Sequence, residues 1–523
     1  MAKRRKAQRQ APAPVVVEAR PAPRRRAYGG ATISRLTADW VSSGNSADAE
    51  VSSGLVRLRN RCRQLVRDSD YARAAIRAIR SNVIGSGIKL QAQAKMQRGG
   101  GRLDQAINDE IESGWATWGR ADSCHTAGRM SFLELQRMLI GAMAESGEVF
   151  VRMVRQPFGR SKVPFALEIL EADLLDENKH GLPPNGDEWR MGIRVDSWGR
   201  PVEYAFLSRH PGDLHGGSAG VRHRMIPASE VLHLGILERP GQTRAVPWLA
   251  ASIKQLHHLA GYQEAEVVRA RAGSSLMAFI TSPEGEISMG DDVEGDERVS
   301  DFAPGKFAYL APGESVTVPD LQAPDGQFEP FLKAMLRSMA AGTGVPFTSL
   351  SANYSESNYS SSRLELLDAR ENWKAMQQYM IDAFLTPVFE AWLDAAVLSG
   401  ELQLPGYELA PDRYRAARWM PRAWSWIDPA KEVNAYKEAV RCGFKTQAEV
   451  VAEQGGDLEE LLLSRQAEVQ RADELDLIFD SDPSKVSVPG SVPVQPDQAP
   501  ENPSDAVDTL DTEDAPAPDG STD

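Results

Sequence analysis

Cysteine is scarce. Cys62, Cys124 and Cys442 are the only three in 523 residues, far apart and without the paired spacing of a zinc site. This excludes a disulfide framework and reads as inert thiols. Cys124-His125 offers a nucleophile beside a base, but adjacent residues rarely face each other, so the pair carries little weight for catalysis. No run of about eighteen uncharged apolar residues occurs. The basic N-terminus continues into Pro and Ala rather than an apolar signal core, so the chain is expected inside a cell, without a membrane span. A G-x-x-x-x-G-K-[ST] sequence is also missing, which leaves a packaging ATPase or helicase without its phosphate cradle.

Two formal hits to chemical motifs fail in context. "GGSAG" at 216–220 fits the nucleophile elbow of a serine hydrolase, with Ser218 as nucleophile, but "HPGDLH" precedes it and the charged "VRHR" follows. An elbow needs an apolar strand before and a helix after. His210, His215 and His223 match no standard ligand spacing, and a solvated loop accounts for them. No catalytic residue, metal site or cofactor is expected.

Charge is divided between the ends. Residues 1–26 carry nine Lys/Arg and one Glu, and residues 494–523 carry nine Asp/Glu and no base, so −13 of the formal −14 belongs to the rest of the chain. Tight gripping of DNA needs clustered positive charge to displace phosphate counterions, and this body has no overall excess of it. Any DNA it meets should be held loosely. Residues 1–30, rich in Pro and Arg, read as a disordered basic arm, either a solubilising tail or a contact for nucleic acid or assembly; 476–523 reads as a disordered acidic Pro-rich tail. The run "RLRNRC", followed by Arg67, Arg73, Arg77 and Arg80, suits either DNA contact or pairing with acidic neighbours.

Periodicity orders the remainder as an α+β chain. Two helices are predicted over 55–83, broken near "RDSD", the second with Tyr71, Ala75, Ile79 and Val83 on one face. Leu103, Ile107, Ile111, Trp115 and Trp118 mark another, and Ser131 with Glu134 forms a capping box opening a helix that stops at "SG". The period then changes from about 3.6 to 2 in "EVFVRMVR", "FALEIL", "GIRVDSWGRPVEYAF" and "EVLHLGIL", which predicts strands. Pro247 can open a helix lined by Leu249, Ile253, Leu256 and Leu259, and 276–326 reads as a small loop-rich β module. The helical period returns in Phe328, Leu332, Met335 and Met339 and ends at Gly342, Gly344 and Pro346. Beyond 400, "WMPRAWSWIDP" reads as a strand, followed by three short helices starting at Asp428-Pro429, at Thr446 with Glu449, and at Asp457. The tryptophan pairs 115/118 and 424/426 read as core anchors.

One stretch stands apart. "NYSESNYSSSRLELLDAREN", 353–372, sets serines, tyrosines and asparagines ahead of a leucine-bearing helix. Ser362 and Glu365 fit a second capping box. Leu364, Leu367, Met376, Met380, Phe384, Trp392 and Ala396 continue a helix to Gly400, about 57 Å long if unbroken, with a kink at Pro387. The polar connector over 343–361 is long for a compact domain, hence functional or disordered, and its tyrosines argue against disorder.

Together and in order, "LRNRCRQLVRDSDYARAAIRAIRSNVIGSGIKLQ", "ESGEVFVRM", "LEILEADLL", "GIRVDSWGRPVEYAF", "RMIPASEVLHL", "ERPGQTRAVPWLA", "GVPFTSLSANYSESNYSSSRLELL" and "WIDPAKE" resemble the portal proteins of tailed bacteriophages, lambda-type branch, over roughly 30–475. The resemblance implies a non-enzymatic multi-domain portal fold: an α/β wing over 31–246, a first stem helix over 247–275 and a clip over 276–326. A second stem helix over 327–343, a tunnel loop over 344–361, a long kinked helix over 362–400 returning to the wing, and a wing strand with helical crown over 401–475 complete it. It implies a homo-oligomeric ring, usually of twelve subunits, at one capsid vertex of a virion assembled in the host cytoplasm. Double-stranded DNA passes through the ring, and the terminase large subunit, major capsid or scaffold protein and a head-tail adaptor bind it.

On this resemblance the residues expected to face DNA are Thr343, Thr348, Ser349, Ser351, Asn353, Tyr354, Ser355, Ser357, Asn358, Tyr359 and Ser360, with Ser362 and Glu365 anchoring the loop. A conduit must pass a polyanion without trapping it, which hydroxyls and amides do and clustered bases do not. Two positions depart from the family pattern: Asn353 where Asp is frequent, putting a charge role there in doubt, and Ala245 where Gly is frequent before Val-Pro-Trp. The rival readings are a basic-arm nucleic-acid-binding scaffold and the hydrolase using Ser218.

Overall fold

The computed structural model describes residues 44–96, 103–183, 186–213, 222–274, 328–355, 359–424, 429–454 and 456–475, with Arg35, Asp39, Gly326 and Leu477, and four short strands inside 276–326. The basic arm, the "GGSAG" segment with Ser218, His215, Ser357, Asn358, Trp426 and residues 478–523 lie outside these.

Helix α1 (Ala47–Ser52) is capped by Ser46, and α2 (Leu55–Asp68) and α3 (Asp70–Val83) follow it. Ser69 separates α2 from α3: its extended backbone stops one helix and its hydroxyl accepts the Ala72 N–H of the next at 3.4 Å. Ala75, Ile79 and Val83 are buried as the period predicts. Strand β1 (Lys89–Ala92) leads to α4 (Gln105–Trp118), α5 (Ala121–Cys124) and α6 (Phe132–Ser146). The capping box of α6 is present: Glu134 Oε2 accepts the Ser131 N–H at 2.8 Å and Ser131 Oγ accepts the Glu134 N–H at 3.4 Å. Gly147 ends α6 at φ 91°, where a Cβ would meet the Val246 carbonyl carbon at 2.6 Å, so the position admits only glycine.

The change of period there produces β2 (Glu148–Val154), then β3 (Ala166–Leu170), β4 (Glu188–Arg190), β5 (Ile193–Val195), β6 (Pro201–Leu207), β7 (His223–Pro227) and β8 (Val231–Gly235). They form two antiparallel sheets, β3-β2-β8 and β4-β5-β6-β7. Alternation along β2 sends Val149 and Val151 into the main, largely helical core, and Phe150 into a smaller core between the sheets with Tyr204, Phe206 and Ile226. β2 is thus buried on both faces, which explains why its sequence is apolar on successive residues.

The helix expected from Pro247 begins later. Trp248 N–H donates to the Ala144 carbonyl at 3.1 Å, pinning the segment to α6, a single 3-10 turn follows over Ala250–Ser252, and α7 runs over Ile253–Ser274. Inside 276–326, β9 (Phe279–Thr281), β10 (Asp292–Glu294), β11 (Glu297–Val299) and β12 (Ser315–Thr317) pair antiparallel as β10-β11 and β9-β12. The next helix, α8 (Phe328–Thr343), lies antiparallel to α7. Gln255 meets Ser338 at 3.0 Å near one end, and Tyr262 packs on Phe331 with ring centroids 4.6 Å apart near the other. α8 ends at Thr343 with Gly344 in the left-handed region at φ 66°.

The rest comprises α9 (Phe347–Ser351), α10 (Tyr359–Met380), a π-helical turn over Ile381–Leu385, α11 (Thr386–Leu398), α12 (Pro411–Arg415), β13 (Ala417–Met420), α13 (Pro429–Arg441), α14 (Gln447–Glu453) and α15 (Leu458–Glu474). The expected kink exists, but just upstream of Pro387. The proline ring displaces the carbonyl four residues back, and the helix widens over 381–385 to absorb it. The strand expected in "WMPRAWSWIDP" holds only Trp419 and Met420 of that stretch; it starts at Ala417, pairs with β1, and ends where Pro421 has no N–H to give. Beyond it, Thr446–Glu449 forms a true capping box on α14 and Asp457 caps α15, as predicted.

One hydrophobic core spans these parts: Ile76, Ile79 and Ile140 pack in the same cluster as Trp373, Phe384, Phe389 and Trp392. Trp115 lies at its centre, with edge contacts to Phe132, Phe389 and Trp392 at 4.9, 5.6 and 5.1 Å. The chain is of mixed helix and sheet, and no helix of the described residues is long and apolar enough to cross a membrane.

Candidate functional site

The polar connector divides into two halves with opposite surroundings. In the first, Pro346 opens α9, which packs against α3 and α8. Leu350 and Val345 are buried in the main core, and Arg337 lies over the Phe347 ring at 5.5 Å. Thr348 is buried as well. Its N–H and hydroxyl donate to the Glu365 carboxylate at 3.4 and 3.1 Å.

This overturns the reading of Ser362 and Glu365 as a capping box. α10 already starts at Tyr359, so Ser362 sits inside its first turns, and Glu365 reaches across to α9 instead of back to its own helix end. The anchor is real, but it ties helix to helix. Leu364 and Leu367, expected on the core stripe, are 70% and 41% exposed; the stripe becomes buried only from Ala369 and Trp373 onward.

In the second half, Ala352, Tyr354 and Ser355 are exposed and Asn353 is half-buried. Ala352 ends α9 in the left-handed region at φ 53°, and its N–H donates to the Thr348 carbonyl at 3.0 Å. Asn353 then forms an Asx turn, its Oδ1 accepting the Ser355 N–H and hydroxyl at 3.0 and 2.6 Å. Tyr354 is 68% exposed.

Of the residues predicted to face DNA, Asn353, Tyr354 and Ser355 are thus presented together on one turn. Thr343 bonds its hydroxyl to the Met339 carbonyl at 2.9 Å, Ser351 bonds to the Phe347 carbonyl at 2.9 Å, and Thr348 is buried. These three serve the backbone and the α9–α10 contact. Ser349 is half-buried, and Tyr359 and Ser360 begin α10. At Asn353 the amide does as an Asx-turn acceptor what an Asp would do, without its charge.

α10 holds this turn against the body of the molecule. Gln377 donates to the carbonyls of Val83 and Arg422 at 3.1 and 3.0 Å. Tyr379 OH donates to the Gly235 carbonyl at 3.0 Å and accepts its N–H at 2.9 Å, fastening the helix to the edge of β8; burial raises this phenol above its usual range.

The structure places some of the motifs that were set aside in the sequence. Burial pushes the Cys62 and Cys124 thiols up to about 12, and Cys124 Sγ donates to the Gly119 and Met130 carbonyls at 3.6 Å. His223 pairs with Asp176 at 2.7 Å, apart from His210 beside Glu171 at 3.6 Å. In the arginine run, Arg59 is fully buried against Asp173 and Glu177, and Arg63 pairs with Asp173 at 2.6 Å. For those two, pairing with acidic neighbours is the observed outcome.

Sequence reasoning missed a buried ionic network. Glu148 and Arg244 are both fully buried and paired at 2.6 Å. Arg244 also donates to the Met191 and Ala172 carbonyls at 2.9 and 3.3 Å, while Glu148 accepts from Ala245 N–H at 3.1 Å and from His233 at 2.9 Å. Burial alone would raise the Glu148 carboxyl, but Arg244 and the His233 hydrogen bond overcome it and hold it below the ordinary range. Ala245 is fully buried, and the facing Gly235 leaves room for its methyl, since a Cβ on Gly235 would meet the Ala245 Cβ at 2.7 Å. A lone Glu opening an apolar strand and a lone Arg in "GQTRAVPW" were the available signals.

Residues 34–377 match the family model described as phage portal protein, lambda family. The chain is similar to a protein named probable portal protein of Halomonas phage phiHAP-1, 30% identical over 455 residues, covering 85% of this chain and 86% of that one. It is 22% identical to portal protein B of Escherichia phage lambda, covering 83% and 87%. Superposed on a chain from the virion of a native gene transfer agent particle, it has a TM-score of 0.39 at 13% identity, covering 79% of this chain and 94% of that one. With its family model and full-length relatives agreeing, this chain belongs to the lambda family of phage portal proteins.

Proposed function

We propose that copies of this chain close a ring at one capsid vertex and form the conduit for genome packaging and ejection. The ring docks the terminase motor on one side and the head-tail adaptor on the other. The observation that carries the conduit is the second half of the connector: an uncharged turn of half-buried Asn353 with exposed Tyr354 and Ser355 at the head of α10, which Gln377 and Tyr379 fasten to the body. Side chains that donate and accept without charge make short-lived contacts with phosphates, so a duplex slides past them without being captured. The long helix supplies the stiffness. Nothing in this role requires covalent chemistry.

Replacing Asn353, Tyr354 and Ser355 together by glycine is expected to leave assembly intact and to lower the fraction of DNA-filled heads in a packaging assay. Unchanged filling would remove the connector from the DNA path.

A further inference from the structure

A groove of about 750 Å³ runs between α10, the segment after β13, and helices α13 and α14. Its floor is apolar, from Leu367, Pro421, Ala435 and Ala439. Five bases stand round it against three acids, and the acids are engaged locally: Glu371 with Lys374 at 2.7 Å, Glu453 with Lys445 at 2.7 Å, and Glu432 facing Arg370. Arg422 donates to neutral groups, the Ser81 carbonyl and Asn82 Oδ1, and Arg363 holds no ion pair among the described residues. The rim therefore keeps positive charge over an apolar floor, beside the Trp424 ring over which Arg370 lies at 5.7 Å. This is the chemistry of a receptor for a short peptide alternating acidic and large apolar residues.

The chain contains such a peptide. Residues 473–482 read "DELDLIFDSD", four large apolar residues among five acids. They follow α15, whose principal neighbour is α14 and whose residues 461–468 are all exposed. α15 starts at Leu458, just past Gln454 on the groove's rim, and its 17 residues carry the far end about 25 Å away. If α15 leads away from the groove, the segment reaches its own groove only by doubling back along that helix. Eight extended residues span at most about 28 Å, which the return journey consumes.

We infer that residues 475–482 of one copy dock in the α10–α13–α14 groove of a neighbouring copy, clasping adjacent subunits. The Leu477-Ile478-Phe479 side chains meet the floor, and the flanking aspartates meet Arg363, Arg370 and Arg422. This clasp rests on the ring proposed above, and charge complementarity between rim and peptide selects this occupant.

The test uses two full-length variants in a Cys442→Ser background, which removes the exposed thiol and leaves Cys62 and Cys124 buried. One carries Ala439→Cys, the other Phe479→Cys. Mixed and oxidised, they are expected to give a disulfide-linked heterodimer on a non-reducing gel. Arg363→Glu with Arg370→Glu in the first variant is expected to cut its yield at least tenfold.

Absence of the heterodimer overturns the clasp, as does a yield indifferent to charge reversal; in a third full-length variant with both Ala439→Cys and Phe479→Cys, a cross-link confined to single chains overturns it as well. Electron micrographs of the same samples keep the two readings apart: annular particles without the cross-link remove the clasp and leave the ring.

Discussion

Leu350 and Tyr354 lie in the same polar stretch but answer to different physics. Leu350 is 3% exposed in the main core, so Leu350→Ala is expected to cost about 2–5 kcal/mol of unfolding free energy, while Tyr354→Ala should stay within about 0.5 kcal/mol. Chemical denaturation of both variants checks this. Equal effects would mean that the two halves of the connector are not distinct.

Glu148 offers a second residue-scale test. Glu148→Gln leaves Arg244 buried without its counter-charge, at an expected cost of about 3–5 kcal/mol. Because the folded-state carboxyl lies below its ordinary value of 4.5, its stabilisation is complete at neutral pH and fades as pH falls below that value. The gap in melting temperature between wild type and Glu148→Gln should therefore be widest near neutrality and close on acidification.

At the scale of elements, two serines that look alike in sequence separate. Ser131 and Ser362 each precede a Glu by three residues, but only Ser131 caps a helix. Ser131→Ala should cost about 1 kcal/mol and Ser362→Ala close to nothing, measured by thermal melts. A comparable loss at Ser362 would contradict a start of α10 at Tyr359.

The same pair shows where sequence reading stops. Caps fixed by local spacing, at Ser131, Thr446 and Asp457, were legible because the partner lies within a turn. Glu365 was not, since its partner Thr348 belongs to another element, and the competition between the two bonds is settled by tertiary packing. The late start of α7 and the wide turn before Pro387 were hidden for the same reason: Trp248 bonds to α6, and the π turn is the helix's response to its own proline. Of the predicted site, Asn353, Tyr354 and Ser355 share one turn on which Tyr354 and Ser355 are exposed, and their facing DNA remains the proposal made above. Thr348 and Ser351 bond within the fold instead, and a hydroxyl beside an apolar i, i+3 neighbour reads the same whether it faces a channel or a carboxylate.

For the whole molecule, the account rests on copies of the chain closing round an opening wide enough for a duplex. A single core joining α2 to α11 makes the chain a firm body, while α10 and α15 keep Leu364, Leu367, Leu461, Leu462 and Leu463 exposed. Deleting the basic arm, residues 1–26, should leave rings in place, since the main hydrophobic core is built from residues between Cys62 and Tyr414. Electron microscopy of the purified full-length protein tests the central claim most directly. The account predicts annular particles with a central hole that admits double-stranded DNA; a population that stays monomeric under conditions favouring assembly would contradict it.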